Sequence, residues 1–156
     1  LRTRRQRQMC IRDRYKAVGS TFLAQNTGRI LLNLRSGRVK YPHTWSFWGG
    51  KLEKNEDPLD ALRRELKEEM GFVPPMSGLN PLDTYISKDK SFTYYTYVIM
   101  TPKEFVPTLN HESSGYAWVD IAKYPKPLHD GAKITLHNKK NINKLKKLYQ
   151  SFSNSK

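Results

Sequence analysis

Three glutamates lie close together near the middle of the chain, in the segment RELKEEM. If this segment is helical, each residue turns the chain by about 100°, so Glu65, Glu68 and Glu69 share an arc of roughly 100°. Like charges at this spacing destabilise an isolated helix by roughly a few tenths of a kcal/mol per pair. Mg²⁺ prefers oxygen ligands and bridges carboxylates to substrate phosphates. The spacing therefore indicates either a divalent-cation site for phosphoryl chemistry or an acidic face that is only solvated.

The helix that would carry these glutamates has recognisable ends. Asp57 followed by Pro58 is typical of an N-cap and a first helical residue, and Gly71 is typical of the position just after a helix. The apolar residues that fall together on a neighbouring face are Leu59, Leu62, Leu66 and Met70. The sequence therefore predicts a helix from residue 58 to about residue 70, with carboxylates beside its buried face.

The segment Gly50–Phe72, GKLEKNEDPLDALRRELKEEMGF, resembles the Nudix box. That box is Gly, five residues, Glu, seven residues, Arg-Glu, an aliphatic residue, any residue, Glu-Glu, any residue, Gly and an apolar residue. The matching positions are Gly50, Glu56, Arg64, Glu65, Leu66, Glu68, Glu69, Gly71 and Phe72. A chance match is expected on the order of 10⁻⁸ times per start position. The chain is thus similar to the Nudix (MutT-like) hydrolases.

This resemblance implies a hydrolase that cleaves a diphosphate linkage in a nucleoside diphosphate joined to a group X. It implies that Mg²⁺, or Mn²⁺, is held by the box glutamates together with the backbone carbonyl of Gly50. The residues expected to act in catalysis are Arg64, Glu65, Glu68, Glu69 and Glu112. Arg64 is expected to orient the glutamates, and the base that takes the proton of water is left open between Glu69 and Glu112.

Glu112 is selected because of a second, shorter match to the same family. Glu112-Ser-Ser-Gly-Tyr116-Ala-Trp118-Val119 resembles a stretch found late in many Nudix hydrolases, where the glutamate faces the metal as a ligand or base. The alternative is an exposed loop acid. His111, beside it, is expected to be a bystander.

Substrate binding is indicated by fewer residues. Arg35 ends a predicted strand, where it would contact phosphate or form a surface ion pair. The aromatic residues near the paired glycines are Tyr41, Trp45, Phe47 and Trp48; of these we select Trp45 and Trp48 as binding a base by stacking. Many relatives carry proline at the position of Trp48. This departure from the family pattern bears on which substrate the chain selects and not on catalysis.

The substrate class is inferred by elimination. The proline that accompanies ADP-ribose activity in the family is missing, since Ile86 and Ser87 occupy its region. The preferred substrates are nucleoside triphosphates, including oxidised ones, with dinucleoside polyphosphates or nucleotide sugars as the alternative. Two other classes remain as alternatives: a Nudix-fold nucleotide binder without activity, and an RNA-directed protein that uses Lys133–Lys147.

The net charge of +14 lies mostly at the two ends of the chain. Residues 1–14 contribute +5, residues 132–156 contribute +7, and the remaining stretch only +2. A nucleic-acid partner is therefore not expected, and a small nucleotide is; the oligomeric state stays open, with a homodimer among the options. The string RRQRQMCIRDR resembles a translated sequencing adapter, so residues 1–14 are expected to be non-native or a disordered basic tail.

The Nudix domain is predicted over residues 15–152, with an α/β (α+β) fold: a mixed β-sheet sandwiched by helices. Strands are predicted over residues 15–25 and 29–35, as a hairpin, and over residues 82–86, 92–100 and 116–119. Apolar residues at helical spacing predict a C-terminal helix over about residues 138–150. One cysteine excludes a disulfide framework. Because no apolar run approaches the ~20 residues of a membrane span, a cytoplasmic protein is predicted.

Overall fold

The computed structural model describes residues 15–74 and 78–154. The expectation for residues 1–14 falls outside the described residues. The described elements, in chain order, are β1 (Tyr15–Ala24), β2 (Ile30–Arg35), β3 (Trp45–Ser46), β4 (Trp48–Lys51), α1 (Pro58–Met70), β5 (Leu79–Ile86), β6 (Phe92–Thr101), β7 (Ser113–Val119), α2 (Asp130–Leu136) and α3 (Lys139–Asn154). The described strands form one mixed sheet with helices on both faces, as predicted.

β1 is the central strand of this sheet. It pairs in parallel with β6 along its whole length and antiparallel with β4. The predicted hairpin of β1 and β2 is confirmed at the turn, where Leu23 lies opposite Ile30. The two strands do not continue as a long hairpin. Beyond that point β1 follows β4 and β6, whereas β2 follows β3 and β7. The two strands therefore diverge toward the paired glycines.

Two apolar clusters hold the layers together. On one face α1 packs Leu62, Leu66 and Met70 against the sheet, where they meet Phe22 and Trp48. On the other face the buried residues are Leu23, Leu32, Val98, Leu136 and Leu145, the last two from α2 and α3. Burial of each such side chain contributes roughly 1.5–3 kcal/mol relative to exposure. The glutamate-bearing helix is thus fixed on the sheet by its apolar side.

The ends of α1 are those that the sequence predicts. A carboxylate oxygen of Asp57 accepts a hydrogen bond from the amide of Leu59 at 2.9 Å, which satisfies one of the free N–H groups of the first turn. Gly71 adopts φ 77°, and its amide donates to the carbonyl of Lys67 at 2.8 Å. These two caps set the rotation of the helix and hence the direction of its glutamates.

Several elements differ from the prediction, among them β7, which begins at Ser113 and not at residue 116. α2 was not predicted, because it is short and contains Gly131, a poor helix former. β5 begins at Leu79, since the strand continues through an irregularity between Pro81 and Asp83. α3 runs from Lys139 to Asn154. Within the described residues, we find no helix whose length and apolar content suffice to cross a membrane.

Candidate active site

Gly49 and Gly50 bring the end of β4 against α1. Gly49 has φ 148°, a value that residues with a side chain rarely adopt, and a Cβ there would collide with the carbonyl of Val18. A Cβ on Gly50 would lie only 2.6 Å from the carboxylate carbon of Glu65. The Gly49 amide donates to Oε2 of Glu69 at 3.0 Å. The two glycines therefore allow the backbone to touch both carboxylates.

Arg64 joins the residue before the helix to the helix glutamates. Its Nε and Nη2 donate to the two carboxylate oxygens of Glu56 at 3.0 and 2.9 Å, a bidentate pair. Its Nη1 donates to Oε1 of Glu65 at 2.9 Å and lies 3.7 Å from Oε1 of Glu68. A further bond runs from Nη2 to the carbonyl of Lys51 at 3.1 Å. Arg64 thus neutralises part of the acidic cluster and fixes its side chains.

Glu69 is the buried member of this cluster and Glu65 is half-buried, and their pKa values reflect it. Burial is the main cause that raises the pKa of Glu69 well above its ordinary value, followed by the charges of Glu65 and Glu112. The Gly49 hydrogen bond opposes this shift only in part. Burial also raises the pKa of Glu65, against the lowering effect of Arg64. Two carboxylates whose charged form is disfavoured by burial are therefore held in contact with the glycine strand.

Glu112 lies in a loop that is tied to α1. Asn110 donates from its side-chain amide to the carbonyl of Glu68 at 3.0 Å, and its Oδ1 accepts from the amide of Glu112 at 2.9 Å. The carbonyl of Glu112 accepts from the amide of Ser36 at 2.8 Å. The charge of Glu112 also raises the pKa of both Glu65 and Glu69, so its carboxylate lies within electrostatic range of the cluster.

A cavity of about 640 Å³ opens beside the paired glycines, where β1 and β2 diverge. Its size lies within the range of about 300–1,000 Å³ typical of small-molecule sites. Its aromatic lining is Tyr15, Tyr41, Phe47, Tyr85, Phe92 and Tyr94. Its basic and acidic lining includes Arg35, His129, Asp130 and Lys133. The cavity thus combines apolar ring surfaces with polar groups next to the glutamate cluster.

Two of the aromatic predictions are corrected by the structure. The indole of Trp48 is fully buried in the core against α1, so it has no free face on which a base can stack. Trp45 packs against the core on the other side of the sheet. Neither residue lines the cavity, whereas Tyr41 and Phe47, which were considered with them, do. Arg35 also lines it, with Nε and Nη2 donating to the carbonyl of Lys40 at 2.9 and 2.7 Å.

The cavity residues on α2 are those that sequence reasoning missed. His129 caps this helix by accepting from the amide of Gly131 at 3.3 Å, and burial lowers its pKa, as does the charge of Arg35. Asp130 and Lys133 follow on the helix. The available signal was the four-residue spacing of Ala132 and Leu136, the two apolar residues that α2 buries.

Among residues 15–74 and 78–154, no three His, Cys, Asp or Glu side chains are arranged to hold a metal ion as they stand. Glu65 is engaged by Arg64, and Glu69 by the Gly49 amide. Glu68, by contrast, is largely exposed, with 59% of its side chain accessible. The structure therefore brings together Gly50, Arg64, Glu65 and Glu69 directly, and places Glu68 and Glu112 at the edge of the group.

The fold and this cluster define the class to which the protein belongs. The family model for the NUDIX domain matches residues 13–138, which include the whole glutamate cluster. The chain belongs to the Nudix family and is a hydrolase of that family.

Individual relatives are similar in both sequence and fold. The chain is 33% identical over 118 residues to the nucleoside triphosphatase NudI of Escherichia fergusonii, a match that covers 65% of this chain and 82% of that protein. It is 30% identical over 131 residues to NudI of Klebsiella pneumoniae, covering 75% and 92%. The solved MutT NUDIX hydrolase from Burkholderia pseudomallei superposes with a TM-score of 0.61 at 23% identity, over 78% of this chain and 96% of that one.

Proposed function

We propose that this Nudix hydrolase cleaves the phosphoanhydride chain of nucleoside triphosphates and needs a divalent cation, Mg²⁺ or Mn²⁺. The observation that carries the proposal is the opening of the aromatic cavity onto Gly49 and Gly50, the residues that touch Glu69 and Glu65. A nucleoside in this cavity would place its phosphates at the glutamates. Similarity to two proteins named nucleoside triphosphatase supports this substrate class.

The chemistry of the donor set fits a hard divalent cation. The groups that would hold it are the carboxylates of Glu65, Glu68, Glu69 and Glu112 and the carbonyl of Gly50. All are oxygen donors, which Mg²⁺ and Mn²⁺ prefer. Burial and mutual repulsion already raise the pKa of Glu65 and Glu69, and a cation would relieve that repulsion. When bound, the cation supplies charge neutralisation on phosphoryl oxygens and a more acidic water.

The protein residues then divide the remaining work. Arg64 holds Glu56 and Glu65 by hydrogen bonds of 2.9–3.0 Å and so fixes the direction of the carboxylates. Glu69 or Glu112 accepts the proton of the attacking water; burial raises the pKa of Glu69, and a carboxylate with a raised pKa is a stronger base. The ring surfaces of the cavity bind the base and ribose, and Arg35, which lines the same cavity and whose charge lowers the pKa of Glu69, would bind phosphate.

A screen that follows product formation by chromatography tests the proposed function, because cleavage that yields pyrophosphate or a sugar phosphate releases no free inorganic phosphate. About twenty nucleotides would be assayed with Mg²⁺, with Mn²⁺ and with chelator: nucleoside triphosphates, oxidised ones, dinucleoside polyphosphates and nucleotide sugars. The proposal expects metal-dependent turnover that is fastest on nucleoside triphosphates. If nucleotide sugars or dinucleoside polyphosphates were hydrolysed fastest, the proposed substrate class would be wrong and that class would take its place. Turnover that persists in the presence of chelator would contradict the metal requirement.

Glu112→Gln is expected to lower kcat at least tenfold. The substitution keeps the shape of the side chain but removes a charge that faces Glu65 and Glu69, and loss of a base or ligand at such a site costs about 10²–10⁴ in rate. Steady-state kinetics on the best substrate measure the effect. Ser114→Ala, in the same loop, is the control; equal kinetics for the two variants would make Glu112 an ordinary loop acid.

Gly50→Ala is expected to lower kcat at least tenfold at nearly unchanged melting temperature. The new methyl group would lie 2.6 Å from the Glu65 carboxylate, which has to move away, and a displaced catalytic group loses rate steeply. Gly37→Ala is the matched control, because its Cβ would meet only the His43 ring at 3.6 Å. Wild-type kinetics for Gly50→Ala would show that the position of Glu65 is not critical.

A further inference from the structure

A second cavity, of about 490 Å³, adjoins the first on the side away from α2. The two share Tyr15, Lys51 and Ser91. The second cavity has no part in the proposed binding of base and ribose. Its charged lining residues are Lys16, Lys51, Lys54, Lys90, Glu53 and Glu56. We call it the lysine cavity.

The acids of the lysine cavity do not neutralise its lysines. Both oxygens of Glu56 are taken by Arg64, and the carboxylate of Glu53 lies 3.6 Å from Nε of the same arginine. None of the ion pairs in the described part of the chain involves any of the four lysines. Lys51 instead places its ammonium 5.1 Å from the centre of the Tyr15 ring. The cavity therefore carries uncompensated positive charge.

The turn that presents Lys90 is held in place. Oδ1 of Asp89 accepts from the hydroxyls of Ser87 and Ser91 at 2.7 Å each and from the Ser91 amide at 3.0 Å. Lys90 itself has φ 61°, which non-glycine residues seldom adopt. A fixed turn loses less conformational entropy when an anion binds to it. The lysines are thus positioned for binding and are not merely solvated charges on a loose loop.

The lysine cavity also borders the candidate active site. Lys51 follows Gly50, whose Cα faces Glu65, and the Lys51 carbonyl accepts from Arg64 at 3.1 Å. Gly49 and Gly50, which touch Glu69 and Glu65, line the aromatic cavity, and Lys51, the next residue of β4, lines both cavities. A substrate whose nucleoside occupies the aromatic cavity would pass its phosphates along Gly49 and Gly50, beside the glutamates, before the terminal ones reach the lysine cavity.

We propose that the lysine cavity binds the terminal phosphates of a nucleoside triphosphate and receives them as pyrophosphate. Water oxygen bonds to the α-phosphorus, the α–β phosphoanhydride bond breaks, pyrophosphate leaves with the bonding electron pair, and the proton of water passes to a carboxylate. This inference rests on the proposed function and deepens it. It selects against nucleotide sugars, because a neutral sugar gains nothing from uncompensated lysines.

The test combines a binding and a kinetic measurement on the full chain. The variant carries Lys16→Gln, Lys54→Gln and Lys90→Gln, all exposed lysines of the cavity. The control carries Lys67→Gln, Lys103→Gln and Lys123→Gln, which are equally exposed, line neither cavity and remove the same charge. Lys51 is left intact because it borders both cavities.

Calorimetric titration of metal-free protein with inorganic tripolyphosphate is expected to give a Kd at least tenfold weaker for the cavity variant and less than twofold weaker for the control. KM for the best nucleoside triphosphate should rise at least tenfold in the cavity variant, with kcat changed less. Equal values for the two variants would overturn the lysine cavity as a phosphate site. Wild-type protein that binds tripolyphosphate but hydrolyses no triphosphate would instead contradict the proposed function and leave the binding site standing.

Discussion

Glu68→Gln is expected to lower kcat by two or more orders of magnitude while leaving the melting temperature nearly unchanged. The two effects separate because Glu68 is largely exposed, with 59% of its side chain accessible, and makes only a 3.7 Å ion pair with Arg64. Surface pairs of this kind contribute about 0–1 kcal/mol to stability. Loss of a charged oxygen ligand, however, removes charge stabilisation that acts in the transition state.

Asp60→Asn is the matched control for this variant. Asp60 lies on the same helix, is similarly exposed and pairs with Arg63 at 3.3 Å, away from the glutamate cluster. Its replacement should leave kcat within twofold of wild type. Near-wild-type turnover of Glu68→Gln on the best substrate would remove Glu68 from the reaction and would weaken the assignment of the cluster as a cation site.

The helix and the placement of its glutamates were predictable because local signals determine them. Asp57 and Gly71 act as the caps that their residue types indicate, and helical spacing alone places Glu65, Glu68 and Glu69 on one arc. Contact of Gly50 with Glu65 also follows from a residue without Cβ at that position. The motif thus specified both the element and the direction of its functional side chains.

The aromatic cavity was not predictable in the same way, because it depends on long-range packing. Trp48 carries an aromatic ring suited to stacking, yet strand alternation directs it into the core against α1. The next residues, Gly49 and Gly50, line the cavity. His129 and Lys133 reach it only through α2, a short helix whose periodic signal is limited to the spacing of Ala132 and Leu136. Sequence spacing therefore locates the glutamate cluster better than the residues that line the cavity beside it.

Glu69→Gln is expected to raise the melting temperature of the metal-free protein by a few degrees at pH 8 while lowering kcat at least 100-fold. The pKa of Glu69 is raised in the folded state, chiefly by burial, so between its unfolded and folded pKa values the native state binds the extra proton. Stability contributed by this group is therefore lost as pH rises from about 4.5 through the folded pKa. Glutamine avoids that loss, because its neutral amide keeps an oxygen for the Gly49 N–H and offers a donor to neighbouring carboxylates.

The pH dependence distinguishes this explanation from a general improvement in packing. Below pH 4.5 the carboxylic acid is protonated in both states, so the variant and wild type should melt at the same temperature, and their difference should grow toward pH 8. Thermal melts in chelator at pH 4 and pH 8, with Asp60→Asn alongside, make the comparison. Added Mg²⁺ should stabilise wild type more than Glu69→Gln at pH 8, since the cation neutralises the charge that glutamine lacks. A difference in melting temperature that is constant with pH would show that the buried charge of Glu69 does not destabilise the metal-free protein. Equal stabilisation of the two proteins by Mg²⁺ would show that Glu69 does not contribute to cation binding.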